Sequence, residues 1–156
     1  VGSYEKLMEA KEFFDANNLD KAGETLNSVN RDLLSARGQA MYDVIHAAVY
    51  AKILEETYNT AEQAYWKEDY NAAKESFGQV VFIDQTYHNG DALFYLAESQ
   101  WNTWDFDNAK ETYQKVIDQY PNTSHARTAQ ERIDSYNQMQ ENSDNASDNT
   151  NSRGHE

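Results

Sequence analysis

Catalytic or metal-binding chemistry would have to come from histidines, carboxylates or serines, because the chain has no cysteine. None of the four histidines has the spacing of a metal-binding pair. They are His46, His88, His125 and His155. Asp105 and Asp107 resemble the start of a calcium loop, but the glycine and the later glutamate of such a loop are missing, and helix capping explains both residues better. No phosphate loop or activated nucleophile is apparent either. The sequence therefore predicts no enzyme, no cofactor and no metal site.

The charge of the chain limits the classes of partner. The 156 residues carry 27 Asp and Glu against 13 Lys and Arg, a formal net charge of −14. Nucleic acid backbones and anionic membrane surfaces would be repelled by this charge. No apolar run approaches the roughly 18 residues that a membrane span needs. At 39% hydrophobic residues, the chain can nevertheless bury a core.

The chain starts at Val1 instead of a methionine and shows no signal-peptide pattern. We expect it to be a piece of a longer protein, with any targeting signal or anchor outside the sequence given. We expect the protein to be extracytoplasmic or anchored to a membrane through a preceding segment. The alternative is a cytoplasmic protein.

Three segments share one helical stripe that must position any functional side chains. Each carries a large residue, Ala, a large residue and Val at offsets 0, 3, 7 and 10, which lie on one face of a helix. The segments are Leu19–Ala22–Leu26–Val29, Tyr70–Ala73–Phe77–Val80 and Phe106–Ala109–Tyr113–Val116. A residue suited to helix N-capping precedes each of them: Asn18, Asp69 and Asp105.

A second stripe precedes each of the first. Twelve residues before each central alanine stand Ala10, Ala61 and Ala97. Large or aromatic residues flank these alanines on the same helical face: Leu7 and Phe14, Tyr58 and Tyr65, Phe94 and Trp101. Each unit is therefore predicted to be two helices joined by a short turn. The alanines allow the two helices to approach closely where they cross.

These positions resemble the tetratricopeptide repeat over roughly residues 3 to 136. Ala97, Phe106, Ala109, Tyr113 and Pro121 match the pattern of that family well, although the usual glycine of the turn is absent and Trp104 stands in its region. The paired units from Thr60 to Pro121 are also similar to bacterial envelope-associated repeat proteins of the Tol-Pal type. The resemblance implies an all-α fold, a right-handed superhelical stack of about three helical hairpins with a C-terminal capping helix.

The units are predicted at about residues 3–35, 36–86 and 90–122, with the capping helix at 124–137. Together they form a repeat domain over residues 1–137, and the polar residues 138–156 are predicted to be a disordered tail. Ala22 and Ala73 are 51 residues apart (73 − 22), against 36 for Ala73 and Ala109 (109 − 73). The difference of 15 predicts a first helix lengthened by about four turns in the second unit, over residues 36–67. The alternative is a break at 57–60, where helix propensity is poor.

The resemblance implies that the first helix of each unit lines a concave groove. The residues predicted to bind a partner there are Tyr58, Glu62, Tyr65, Trp66, Phe94, Glu98, Trp101 and Asn102. Such a groove is aromatic and acidic, and it favours a neutral or basic peptide or protein. Two alternatives stay open. One is a glycan or cell-wall ligand stacked on the aromatic rings, and the other is self-association of the repeats.

Overall fold

The computed structural model describes residues 2–153, and within this range every regular element is a helix. The seven α-helices in this range are α1 (Ser3–Asp15), α2 (Leu19–Leu26), α3 (Ala36–Trp66), α4 (Tyr70–Ile83), α5 (Asp91–Asn102), α6 (Phe106–Gln119) and α7 (Ser124–Arg153). Short 3-10 turns occur at Arg31–Leu33 and Tyr87–Gly90. The predicted all-α class, built from helical hairpins, is confirmed.

The chain divides into two compact units, and the boundary falls inside α3, between Glu56 and Thr57. These two units differ from the three predicted repeats, and from here on the first unit is the part before this boundary and the second unit the part after it. In the first unit, α1 and α2 form a hairpin that shares a core with the beginning of α3. This core consists of Leu7, Ala10, Ala22, Leu26, Val29, Leu34 and Ile45. In the second unit, α4 packs on α5, α5 on α6, and α6 on α7. The core of α5, α6 and α7 consists of Leu93, Phe94, Ala97, Ala109, Tyr113, Val116, Ala129 and Ile133.

Helix α3 runs without a break from Ala36 to Trp66. The prediction of a single long helix is therefore correct, and the alternative break at 57–60 is wrong. Tyr58 and Ala61 are both buried in this stretch. Because most helical stability in proteins comes from packing, their burial outweighs the poor local propensity.

The turn inside each hairpin has the same backbone geometry. Asn17, Glu68 and Trp104 all adopt positive φ, at 59°, 64° and 67°. In each turn the following amide donates to a carbonyl five residues earlier, as in the bond from Asp105 to Gln100. This is the helix ending that normally uses glycine, so here three other residues take the left-handed position. The hairpin turns therefore form without the glycine that this helix ending usually contains.

Two of the three predicted helix caps are present, and the third prediction is wrong. The side chains of Asn18 and Asp69 accept hydrogen bonds from the first turns of α2 and α4. Asp105 makes no such cap bond, because its carboxylate instead accepts from the side-chain amide of Asn108. Helix α7 is capped by the hydroxyl of Thr123, which accepts from the Ala126 amide.

The end of the last helix also differs from the prediction. Helix α7 continues to Arg153, where the sequence predicts an end at 137 and a disordered tail. No glycine or proline interrupts the chain between 124 and 153, so no residue of these types stops the helix. The side chains of residues 137–148 are all exposed, so this stretch of the helix contributes no residue to the core. Residues 154–156 lie outside the described part of the chain.

The predicted burial of Ala73 and Ala109 at helix crossings is confirmed, with both side chains 0% exposed. We expect Ala109→Leu to overpack the α5–α6–α7 core and to lower the free energy of unfolding by roughly 1–3 kcal/mol. Urea unfolding followed by tryptophan fluorescence would measure this, since all three tryptophans follow residue 57. Lys115→Leu, at an exposed position of α6, is the control. An equal midpoint for the Ala109 variant and the parent would contradict the packing.

Candidate functional site

The candidate site lies in the second unit, on the surface shared by the end of α3, by α5 and by α7. Glu62 and Glu98 occupy equivalent positions on α3 and α5, 36 residues apart (98 − 62), and Arg132 of α7 forms an ion pair with Glu98. Helix α7 therefore does more than cap the repeats, because it supplies a third row of side chains to the same surface.

Glu98 is held inside this surface and is only 6% exposed. Its Oε1 atom accepts hydrogen bonds from the Tyr113 hydroxyl at 2.6 Å and from Arg132 Nε at 3.3 Å. Its Oε2 atom accepts from a terminal nitrogen of Arg132, also at 3.3 Å. The guanidinium therefore neutralises Glu98, and the predicted role of Glu98 as an open acidic group of the groove does not fit this burial.

Tyr58 and Phe94 are also buried, each beneath a histidine. The rings of Tyr58 and His88 stack with centroids 4.1 Å apart, and those of Phe94 and His125 with centroids 3.9 Å apart. Tyr58 and Phe94 are equivalent in the repeat, so α3 and α5 each carry an aromatic residue covered by a histidine at this position. Their side chains offer little surface to a partner in this conformation.

Tyr65, Trp66 and Tyr95 form an aromatic cluster at the surface. The Tyr65 ring lies edge-on to both others, with centroid distances of 5.1 Å to Trp66 and 5.0 Å to Tyr95. Tyr95 also stacks on the buried ring of Phe77, which fixes the base of the cluster. Trp66 is 67% exposed at its outer edge. A large apolar ring held on a rigid base and left open to solvent is an efficient contact residue.

The tyrosine hydroxyls report the electrostatics of this surface. Burial, together with the nearby charge of Glu98, raises the pKa of Tyr65 to about 12. Burial raises the pKa of Tyr95 as well, and the carboxylates of Asp91, Glu62 and Glu98 add to that effect. All three carboxylates therefore lie near enough to Tyr95 to oppose ionisation of its hydroxyl.

Glu62 is the accessible carboxylate beside the cluster. Among the described side chains, no Lys or Arg forms an ion pair with it. A shallow depression of about 480 Å³ lies along α3 at this point, lined by Asn59, Glu62, Gln63, Trp66 and Lys67. An indole and an unpaired carboxylate thus share one depression.

The other two predicted residues lie further along α5. Trp101 is half-buried between Phe106, 4.8 Å away between ring centroids, and Arg132, whose guanidinium lies 5.7 Å from the Trp101 ring centre. Asn102 is exposed, and its amide donates to the backbone carbonyl of Glu98 at 2.8 Å. Five of the eight predicted residues therefore stay accessible: Glu62, Tyr65, Trp66, Trp101 and Asn102.

Four further residues belong to this surface but were not predicted from the sequence: Asp91, Tyr95, His125 and Arg132. His125 lies in the first turn of α7, and its Nε2 atom is 2.8 Å from an oxygen of Asp91. The repeat pattern did not point to the two residues of α7, because the 36-residue spacing extended from Asp91 and Glu98 gives Arg127 and Asp134 instead.

Two further findings concern metals and membranes. Within the described residues, no group of three or more His, Asp and Glu side chains is placed to hold a metal ion. Over the same part of the chain, no helix is both long and apolar enough to cross a membrane.

Paired helices with equivalent surface positions define a helical-repeat protein. Residues 91–123, which contain α5 and α6, match the tetratricopeptide repeat family. These repeats generally mediate protein–protein interactions, and the fold is typically a non-enzymatic scaffold. No curated protein matches the chain. The match gives no support to the narrower similarity to Tol-Pal type proteins, which stays a prediction.

Proposed function

We propose that the second unit binds a neutral or basic peptide segment of a partner protein on the Trp66 surface, which we define as Glu62, Tyr65, Trp66 and Tyr95. The observation that carries the proposal is the exposed ring of Trp66, supported from below by Tyr65 and Tyr95. Exposed aromatic residues on a rigid base are typical of binding hot spots.

The chemistry of this surface favours a cationic side chain in the partner. A lysine or arginine stacked on the Trp66 ring would gain a cation–π interaction. Its charge would then lie near Glu62, which has no cationic partner among the described side chains. Glu98 takes no direct part in this selection, because Arg132 already neutralises it. Acidic peptides would be repelled by Glu62 and by the net charge of −14, and they should bind worst.

A glycan is the second candidate, because Trp104 gives the unit another open indole ring. Its side chain is 82% exposed at the turn between α5 and α6. Trp104 also holds a positive φ of 67°, which is a costly conformation for a residue with a side chain. Indole rings stack on sugar faces, and a cell-wall glycan would place the protein in the cell envelope. Trp66 and Trp104 would then both contribute to binding.

Arrays of matched basic, neutral and acidic peptides, probed in parallel with a glycan array, would separate the two candidates. We expect Glu62→Gln to weaken the best basic peptide about fivefold, since one partly screened charge pair is lost. Affinity for a neutral analogue of the same peptide should not change. Fluorescence anisotropy with labelled peptides would measure both.

The matched control is Glu75→Gln, which makes the same charge change at an exposed position of α4. An equal loss for both variants would mean that only the net charge of the chain matters. Binding confined to acidic peptides or to glycans would contradict the proposed peptide function.

A further inference from the structure

Between residues 40 and 54, helix α3 carries an apolar stripe that is largely exposed. The stripe consists of Ala40, Val44, Ala47, Ala51 and Leu54, spaced by 4, 3, 4 and 3 residues. The four residues from Ala40 to Ala51 are exposed, Val44 by 60%, and Leu54 is half-buried. The opposite face of α3 is already used, because Ile45 and Val49 pack into the core with α1 and α2. A second apolar face with heptad spacing is typical of a helix that packs against another helix.

The stripe also lies in a segment of low charge within a strongly acidic chain. Between residues 38 and 54 the charged side chains are Asp43 and Lys52. Asp43 is held by Arg31 through two hydrogen bonds of 2.8 Å, and Lys52 lies 3.5 Å from Asp20. Charge repulsion between two chains of net charge −14 would therefore be weakest at this face, and salt screens the more distant charges.

Two opposite charges stand at the ends of the stripe and indicate what covers it. Arg37 precedes it and Glu55 follows it, and neither forms an ion pair among the described side chains. At 100° per residue both lie on the same edge of the stripe, and their separation of 18 positions (55 − 37) spans about 27 Å along the helix. They cannot pair within one chain. A second α3 in antiparallel orientation would bring Arg37 of one copy opposite Glu55 of the other.

We propose that the chain forms a two-fold symmetric dimer in which the stripes of two α3 helices pack antiparallel. The two-fold axis creates two Arg37–Glu55 pairs, because each contact of such an interface occurs twice. Ala40, Ala47 and Ala51 allow the helix backbones to approach closely, and Val44 and Leu54 fill the space beside them. A parallel arrangement is disfavoured, because it would place Arg37 beside Arg37. The proposal uses only the first unit and does not depend on the peptide function of the second.

Sedimentation velocity over a range of chain concentrations at 0.15 M salt tests the dimer. We expect a concentration-dependent dimer for the parent and a monomer for Val44→Glu where the parent is mostly dimeric. Phe82→Glu is the matched control, because Phe82 is an exposed apolar residue of α4 and should leave the dimer intact. Circular dichroism of each variant shows whether the helices are kept. A parent that is monomeric at its highest soluble concentration would overturn the proposal.

Charge exchange tests the orientation. Arg37→Glu alone is expected to raise the dimer dissociation constant about tenfold, since two pairs become repulsive contacts. Arg37→Glu combined with Glu55→Arg keeps the net charge and should restore the affinity of the parent. A double variant that dimerises no better than Arg37→Glu would show that the helices do not pack antiparallel in this way.

Discussion

Replacing Glu98 by alanine is expected to lower the free energy of unfolding of the second unit by about 3 kcal/mol. The carboxylate is buried and accepts three hydrogen bonds, one from Tyr113 and two from Arg132. Without it, the Tyr113 hydroxyl loses its acceptor in the core, where an unsatisfied polar group is costly. Arg132 loses its counter-charge, but its side chain is 39% exposed and regains water. We therefore expect an effect at the lower end of the range for broken buried ion pairs.

Urea unfolding followed by tryptophan fluorescence measures this effect, because the tryptophans are all in the second unit. The matched control is Glu62→Ala, the equivalent position on α3, where the loss should stay within about 0.5 kcal/mol. Tyr113→Phe should remove one hydrogen bond and about 1 kcal/mol. In the Tyr113→Phe background, Glu98→Ala should then be less harmful, as expected for residues of one network. Equal losses for the Glu62 and Glu98 variants would contradict the described network.

Replacing Trp66 by alanine is expected to weaken binding of the best basic peptide about 30-fold, close to 2 kcal/mol. The indole offers the largest exposed apolar area of the Trp66 surface, and Tyr65 and Tyr95 hold it in place before any partner arrives. A contact residue that is already ordered loses little conformational freedom on binding. Because most of the ring is exposed, the same variant should change the free energy of unfolding by less than about 1 kcal/mol.

Titration calorimetry of parent and variant with the same peptide would give the affinities. Trp104→Ala is the control, because it removes another exposed tryptophan of the same unit. Peptide binding should be unaffected by Trp104→Ala, whereas binding of a glycan should weaken in both variants. If Trp66→Ala binds the peptide as well as the parent does, the Trp66 surface is not the binding site.

The helices were predictable from the sequence because the information is local. Alanines and large residues recur at helical offsets, and all six paired alanines are fully buried: Ala10, Ala22, Ala61, Ala73, Ala97 and Ala109. The length of α3 was predicted from the 15 additional residues between Ala22 and Ala73. The end of α7 did not, because composition predicted disorder where the structure continues a helix whose side chains from 137 to 148 are exposed.

The site was only partly predictable, because aromatic residues on the first helices can be either buried by packing or left exposed at the surface. Tyr58, Phe94 and Trp66 are all aromatic residues on the first helices of their repeats. They differ in burial, because Tyr58 and Phe94 lie under histidines, whereas Trp66 is exposed in the last turn of α3. Which side of each helix a neighbour covers depends on helix packing, and no single helical stripe contains that information.

By itself, the sequence determined the class of fold, the register of the repeats and the equivalence of Glu62 and Glu98. Only the tertiary structure decided that the carboxylate of Glu98 is buried in an ion pair and that the carboxylate of Glu62 stays accessible. Glu98 pairs with Arg132 of α7, whereas Glu62 forms no ion pair among the described side chains. A buried carboxylate is tolerated only where a cation or hydrogen-bond donors offset its desolvation. Glu98 has such neighbours in Arg132 and Tyr113 because of how the helices pack, and the stripe of a single helix does not contain that packing.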